Sequence, residues 1–527
     1  MMQLKSYLAG AWHEGQGDRV VLHNPATEAP MAELSRATGL DEALQHARDV
    51  GGPALRAMSF AERGALLKRL AKLLHGHREA LIEIAIDNGG NTRGDAKFDI
   101  DGATAVLAAY GHLAGELGEA PWIVADEAVE IMRGSKIRAQ SVLLPRHGVA
   151  VHINAFNFPA WGMIGKLAVA WLAGMPVLSK PATSTAALAA RIGEILVEEG
   201  ELPAGAFSML IGPAGDLLDH LGPQDVVAFT GSADTGATIR THPRVVAQGV
   251  RVNVEADSLN AVVIGPDVGP GTELFDLMIR DCVIELTQKA GQKCTATRRI
   301  LVPQDRLESV REVLVDRLRE VASKTGDPAN KEVRMGPLST AGQLRDARAG
   351  LDALASSATR ISGDPQRQSF VDVPEGKGWF LEPILFEATP QAALDPASSF
   401  HRVEVFAPVA TLLPYDGTVA AAARIVSAAE GSLVSTVYTD DREFLADAVA
   451  ELAPFLGRLV VADEKAARAS LSPGCVFPVV NHGGPGRAGG GGELGGRVGM
   501  ELYMQRTTIQ GGGSQLARLL GKSARKE

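Results

Sequence analysis

The sequence has 527 residues, 46% of them hydrophobic and 22% charged, with a formal net charge of −10. That length exceeds what one hydrophobic core organises and predicts two or three domains. The acidic balance excludes the basic footprint of a nucleic-acid binder, and three cysteines, Cys282, Cys294 and Cys475, exclude a disulfide framework and fit a reducing compartment.

In chain order, the amino-terminal MMQLKSYLAGAWHEG lacks the apolar core of a signal peptide. The apolar run between Leu167 and Leu178 is broken by Gly174 and Pro176, too short to span a membrane. A cytoplasmic protein with no membrane partner is the expectation. Residues 40–115 carry apolar side chains at helical spacing, as in ERGALLKRLAKLLHGHREALIEIAI. The segment VEIMRGSKIRAQSVLLPRHGVAVHI predicts a hairpin followed by a buried strand. From there strands at 149–153, 177–180, 207–210 and 226–229 alternate with helices at 163–173, 186–199 and 214–221. Such alternation predicts an α/β fold with a doubly wound parallel sheet. A second alternating region covers 254–475. A Gly-rich stretch at 482–499 leads into a strand-like ELYMQRTTIQ, and the last dozen residues read as frayed.

Four segments carry chemistry. Cys294, in GQKCTA, offers a thiolate that can attack a carbonyl and form a thiohemiacetal; the plain alternative is a half-buried structural cysteine. Glu255, in VNVEADSLNA, ends a predicted strand, where α/β sheets place ligands. A carboxylate there can activate water, or it can simply be solvated. Asn157, in NAFNFP, offers an amide that, with the backbone N–H of Cys294, can hold an oxyanion, a role worth about 3 kcal/mol per donor; turn formation is the alternative. In VVAFTGSADTG, Gly231 and Gly236 form neither a Walker loop nor a GxGxxG fingerprint. Its backbone N–H groups and Ser232, at a helix start, can still cradle a pyrophosphate. A thiol hydrolase built on Cys294 would need a partner histidine, and none of the 12 histidines stands in a recognisable motif. His152 reads as packed within its strand.

In order and spacing these segments resemble the aldehyde dehydrogenase superfamily, from about residue 4 to 511. The resemblance implies two doubly wound parallel-sheet domains plus a β-hairpin oligomerisation element. Residues 1–125 and 147–253 would bind the dinucleotide, 254–475 would carry the nucleophile, and 126–146 with 495–511 would pair subunits, a homodimer being the first expectation. It implies Cys294 as nucleophile, Glu255 as general base, Asn157 as oxyanion donor, Lys166 as a supporting lysine and Glu493, in GGELGG, as a second glutamate of the site. Lys180, in SKPATST, would hold the adenosine ribose, the turn at Gly231 and Ser232 the pyrophosphate, Glu404, in EVFAPV, the nicotinamide ribose, and Phe406 would pack beside it. No metal is implied.

Departures from the family pattern are Phe156 for a tryptophan, Ala407 for a glycine, and Thr183 where NAD-preferring members often carry a glutamate. A small hydroxyl beside Lys180 leaves space for a 2′-phosphate, so NADP is expected over NAD. EADSLNA, KAGQKCTATRR, HGGPGRAGGGGELGG and YMQRTTIQG further resemble a narrower branch. It comprises the semialdehyde dehydrogenases of aerobic benzoate breakdown, whose aldehydes are tethered to coenzyme A, and the dehydrogenase part of the phenylacetate ring-opening enzyme. A chain ending at 527 leaves no room for the hydratase domain of the latter. Arg240, Arg244, Arg298, Arg299 and Arg487 are candidates for the coenzyme A phosphates by residue type only. Members that acylate free coenzyme A lack the base at Glu255, so a carboxylate product is expected. The alternatives are a dehydrogenase for simple aliphatic or aromatic aldehydes and a non-catalytic binding protein on the same fold.

Overall fold

The structure, a computed structural model, describes residues 1–520 apart from 466, 469 and 470. Two seven-stranded sheets dominate it. The first is built on parallel strands Ala150–Ile153, Val177–Lys180, Phe207–Met209, Val226–Thr230 and Arg251–Glu255, with helices Trp161–Ala173 and Ala186–Glu199 between them. Two short strands from the amino terminus, Ser6–Leu8 and Ala11–His13, complete its edge antiparallel. The second sheet runs Thr359–Ser362, Ile384–Glu387, Val409–Tyr415, Arg299–Pro303, Ala261–Ile264, Ser432–Tyr438 and Leu456–Ala462, parallel except at its first strand. Its central strands are buried on both faces, which explains their continuous apolar runs.

A third sheet joins Ile137–Pro145 to Met504–Gly512 over nine paired residues, and Val129–Glu130 folds back on the former as the expected hairpin. Two expectations are corrected. Helix 214–221 shrinks to one 3₁₀ turn, Leu217–His220, because Gly212 and Gly215 take left-handed conformations that break the entry to a helix. The carboxyl end is not frayed as far as it is described. Gly513–Leu520 is a helix, and its Leu516 and Leu520 are buried against Val142. Residues 521–527, the rest of that expectation, lie outside the described residues. No helix among the described residues is long and apolar enough to cross a membrane.

The helix Arg93–Leu117 supports the loop that carries Asn157. Buried Asp99 accepts from the backbone N–H groups of Ala160 and Trp161 at 3.4 and 2.8 Å, placing a carboxylate at the N-terminus of Trp161–Ala173. Gly102, one turn on, lies against the Trp161 indole: a Cβ there would sit 2.1 Å from the ring. Gly102→Ala is therefore expected to lower unfolding stability by ~1–3 kcal/mol, the usual cost of overpacking, read as a shift of the urea midpoint.

Candidate active site

The first sheet presents the carboxyl ends of its parallel strands to one crevice, where such sheets bind ligands. Lys180, Thr230 and Glu255 end their strands, and Asn157 follows Ala150–Ile153. The second sheet contributes Cys294 from the connection between helix Glu273–Thr287 and strand Arg299–Pro303. Three successive left-handed residues, Lys289, Ala290 and Gly291, turn that connection. At the last of them a Cβ would lie 2.4 Å from the Ala407 carbonyl, so only glycine fits. The Asn260 amide donates to the Cys294 carbonyl at 2.7 Å and the Ala296 carbonyl at 2.9 Å, fixing the thiol's loop.

Two cavities meet at this thiol. One is lined largely by apolar groups, among them Phe98, Phe158, Trp161, Val476 and Leu494. The other, an open cleft, is lined by Gly231, Ser232, Asp257, Glu404 and Phe406. Asn157, Thr230, Glu255 and Cys294 line both.

The charges form one chain of contacts. The Lys166 ammonium, buried on Trp161–Ala173, donates to the Thr230 hydroxyl at 2.7 Å and pairs with Glu493 at 3.2 Å. The Asn253 amide also donates to Glu493, at 3.2 Å. Thr230 in turn donates to Glu255 at 3.5 Å. Burial alone would raise the Glu255 carboxyl, but His482 and Lys166 outweigh it and hold the group at about 2. Burial raises Glu493, against the pull of Lys166. The Cys294 thiol is raised well above its ordinary value, first by burial and then by the neighbouring Glu255 carboxylate, so the resting sulfur is protonated.

The sequence reading did not find His482. Its Nε2 lies 3.7 Å from the Cys294 sulfur and 3.0 Å from a Glu255 oxygen. The expectation that no histidine partners this thiol is thus overturned. The only available signal was its place ahead of the Gly-rich stretch. His152, by contrast, is fully buried in its strand and meets the Tyr503 hydroxyl at 3.1 Å.

The cleft fits a dinucleotide at one end. The buried Glu404 Oε1 has no hydrogen-bond partner, and burial pushes this carboxyl up to about 7; a hydroxyl donor from a ribose would satisfy it. Phe406 packs edge-on to Phe156, with ring centroids 5.8 Å apart, making an apolar wall. Ser232 caps helix Ala233–Thr241, accepting from the Thr235 N–H at 3.3 Å, and the Gly231 N–H is already spent on the Glu255 carbonyl at 3.1 Å. Lys180 and Thr183 are not among the residues lining the cleft. The Lys180 ammonium donates to the Pro181 carbonyl at 3.1 Å, and Thr183 opens a 3₁₀ turn.

Two of the five arginines considered for coenzyme A phosphates are buried and engaged within the protein. Arg298 donates to the carbonyls of Ala407 and Gly291, and Arg299, fully buried, to those of Leu259, Ile425 and Val426. Arg240 donates to Gly489, Arg244 to Leu221, and Arg487 to His401 and Arg402. These guanidiniums satisfy carbonyls of connecting segments, the role that buried backbone demands of a neighbour.

Residues 12–509 match the pattern described as the aldehyde dehydrogenase family. The 3,4-dehydroadipyl-CoA semialdehyde dehydrogenase of Aromatoleum evansii is 42% identical over 487 residues, covering 92% of this chain and 93% of that relative. An alpha-ketoglutaric semialdehyde dehydrogenase of Bacillus subtilis (strain 168) is 26% identical, covering 83% and 85%. Betaine aldehyde dehydrogenase from Staphylococcus aureus, solved with NAD⁺, shares the fold with a TM-score of 0.81 at 23% identity, over 97% of this chain and 94% of that one. A putative aldehyde dehydrogenase from Burkholderia cenocepacia does so with a TM-score of 0.81 at 22% identity, over the whole of both chains.

Proposed function

Because the chain belongs to the aldehyde dehydrogenase family, we propose that it oxidises a semialdehyde tethered to coenzyme A to the carboxylate, with NADP⁺ as the favoured cofactor and 3,4-dehydroadipyl-CoA semialdehyde of benzoate breakdown as the first substrate to test. The observation that carries the reaction is the position of Cys294 at the seam of the two cavities, with Asn157 and Glu255 lining both. One cavity gives the aldehyde arm an apolar path to the sulfur. The other gives a dinucleotide access to the same atom.

The Cys294 sulfur adds to the aldehyde carbon. Asn157 and the Cys294 N–H hold the developing oxyanion. A nicotinamide bound beside Glu404 and Phe406 supplies the hydride acceptor. Glu255 then draws a proton from the water that cleaves the thioester, and Lys166 and Glu493 hold the charge balance behind it. Lys180 and Thr183, beside Ala182 at the edge of the cleft, would set the NADP preference, since the ammonium would attract a 2′-phosphate that a glutamate at 183 would repel. The identity to the Aromatoleum relative supports the substrate class. The sheet joining Ile137–Pro145 to Met504–Gly512, beside exposed Val129, Ile131 and Met132, supports a homodimer built on that element.

The test compares kcat/KM for a CoA-linked and a free aliphatic semialdehyde, each with NADP⁺ and NAD⁺. The CoA-linked aldehyde with NADP⁺ is expected to exceed every other combination by about tenfold or more, one or two added favourable contacts. Equal values for the free aldehyde would replace the substrate reading with that of a simple-aldehyde dehydrogenase. Equal values for NAD⁺ would remove the reading of Thr183.

A further inference from the structure

His482 stands on the short strand Asn481–Gly483, which pairs antiparallel with Gly492–Leu494 so that His482 lies opposite Glu493. The Gly-rich segment between these strands lies flat on the strand that ends in Glu255. The Ala256 N–H donates to the Ala488 carbonyl at 3.1 Å. A Cβ on Gly489 would sit 2.2 Å from the Val254 carbonyl, and one on Gly491 2.4 Å from the Asn253 amide oxygen. The glycines therefore permit a close approach of backbone to backbone, and that approach carries the imidazole to the thiol.

Both contacts of His482 fall on the same nitrogen: Nε2 is 3.0 Å from Glu255 Oε1 and 3.7 Å from Cys294 Sγ. In a relay of the serine-protease kind, the base would use one ring nitrogen for the nucleophile and the other for the carboxylate. Here one N–H faces two acceptors and can serve one fully at a time. At 3.0 Å a bare nitrogen lone pair would oppose a carboxylate, so the resting proton lies between Nε2 and Glu255.

We propose that His482 is a catalytic residue of this enzyme, a switchable donor whose Nε2–H rests on Glu255 and moves to the Cys294 sulfur as the thiol ionises. This rests on the reading of Cys294 as the nucleophile. In the step, the S–H bond breaks and its proton passes to the Glu255 carboxylate, forming O–H, and leaves from there to bulk water through the open cleft before Glu255 takes a proton from the hydrolytic water. The same protonation releases the imidazole N–H, which turns to the thiolate. The sulfur's electron pair then forms the C–S bond, and the carbonyl π pair moves to oxygen. No oxidant enters this step. Glu255 alone, adjacent to the sulfur and negative, opposes thiolate formation; His482 converts that opposition into an exchange of one proton for one hydrogen bond.

The test needs neither aldehyde nor cofactor. Iodoacetamide alkylation is followed by mass at the Cys294-bearing peptide from pH 6 to 10, for the native chain, His482→Phe and His482→Gln. Other charges facing the pair are Lys166 and Glu493 from the first-sheet side, and Glu404, Lys293 and Arg458 from the second; they are unchanged in all three proteins. His482→Phe is expected to slow alkylation at pH 7 by about tenfold or more, the worth of a hydrogen bond to a charged acceptor, and to move the profile to higher pH. His482→Gln, which keeps an N–H at similar reach, is expected to recover part of the rate. If His482→Phe proves unfolded by thermal melting, the decision falls to His482→Gln, which must be slower than native at pH 7. A native profile in a folded His482→Phe, or in His482→Gln where Phe does not fold, overturns the proposal. Normal alkylation kinetics with no aldehyde oxidation would instead overturn the dehydrogenase reading.

Discussion

Replacing Cys294 by alanine is expected to abolish aldehyde oxidation, with kcat/KM lower by ~10⁴-fold or more, as for removal of other covalent nucleophiles. The geometry leaves no substitute. Cys282 is buried on helix Glu273–Thr287 with its thiol pushed far up by burial, and Cys475 does not line either cavity. The loss should be confined to chemistry. Cys294 is only partly buried, and its loop is held through its backbone carbonyl by Asn260, a bond that alanine keeps. Thermal stability and cofactor binding of the variant, by melting curve and titration, should stay near native values.

Replacing Glu255 by glutamine is expected to separate the two halves of the reaction. Glutamine removes the carboxylate that takes the thiol proton, but also the charge that raises the Cys294 thiol, so the sulfur loses its proton to solvent through the open cleft instead. Formation of the acyl-enzyme should survive. Hydrolysis should not, because an amide cannot accept the proton of the attacking water; the loss of a general base is worth ~10²–10⁴-fold. Rapid-mixing absorbance at 340 nm should therefore show a burst of about one reduced cofactor per subunit, followed by a rate lower by that factor. The glutamine side chain can still accept from His482, so its position in the site is kept. A variant with native steady-state turnover and no burst would take the base assignment away from Glu255.

The parts legible in the sequence were those whose signal is local. The alternation after residue 149 gave the first sheet, because buried parallel strands read as short apolar runs between helices. The amino-terminal strands Ser6–Leu8 and Ala11–His13 were not read: each has three residues, and the strand that joins their hairpin to the sheet, Phe207–Met209, lies some 200 positions from Ser6–Leu8. The nearness of Cys294, Glu255 and Asn157 was an expectation from resemblance; all three line the same cavities, Glu255 from a strand end and Asn157 and Cys294 from connecting loops. His482 stayed hidden because its place at the head of the Gly-rich stretch points to no chemistry of its own. Its function depends on glycines 489 and 491 lying on the strand Arg251–Glu255, which only the folded chain reveals. Arg298 and Arg299 failed for the converse reason: residue type suggested phosphates, whereas burial assigns them to backbone carbonyls. Similarly, Lys289 and Ala290 look like ordinary helix formers, yet they take left-handed conformations to turn the thiol toward the first sheet, a strain of ~1–3 kcal/mol each that tertiary packing must offset.

The proposed chemistry requires a covalent bond at one sulfur. The direct measurement is peptide mass analysis of the Glu255→Gln protein, quenched in acid after mixing with aldehyde and oxidised cofactor. The acyl mass of the substrate is expected on the peptide that carries Cys294, in step with the burst, and none without cofactor. An unmodified Cys294 peptide in a protein that has nevertheless reduced its cofactor would contradict that chemistry.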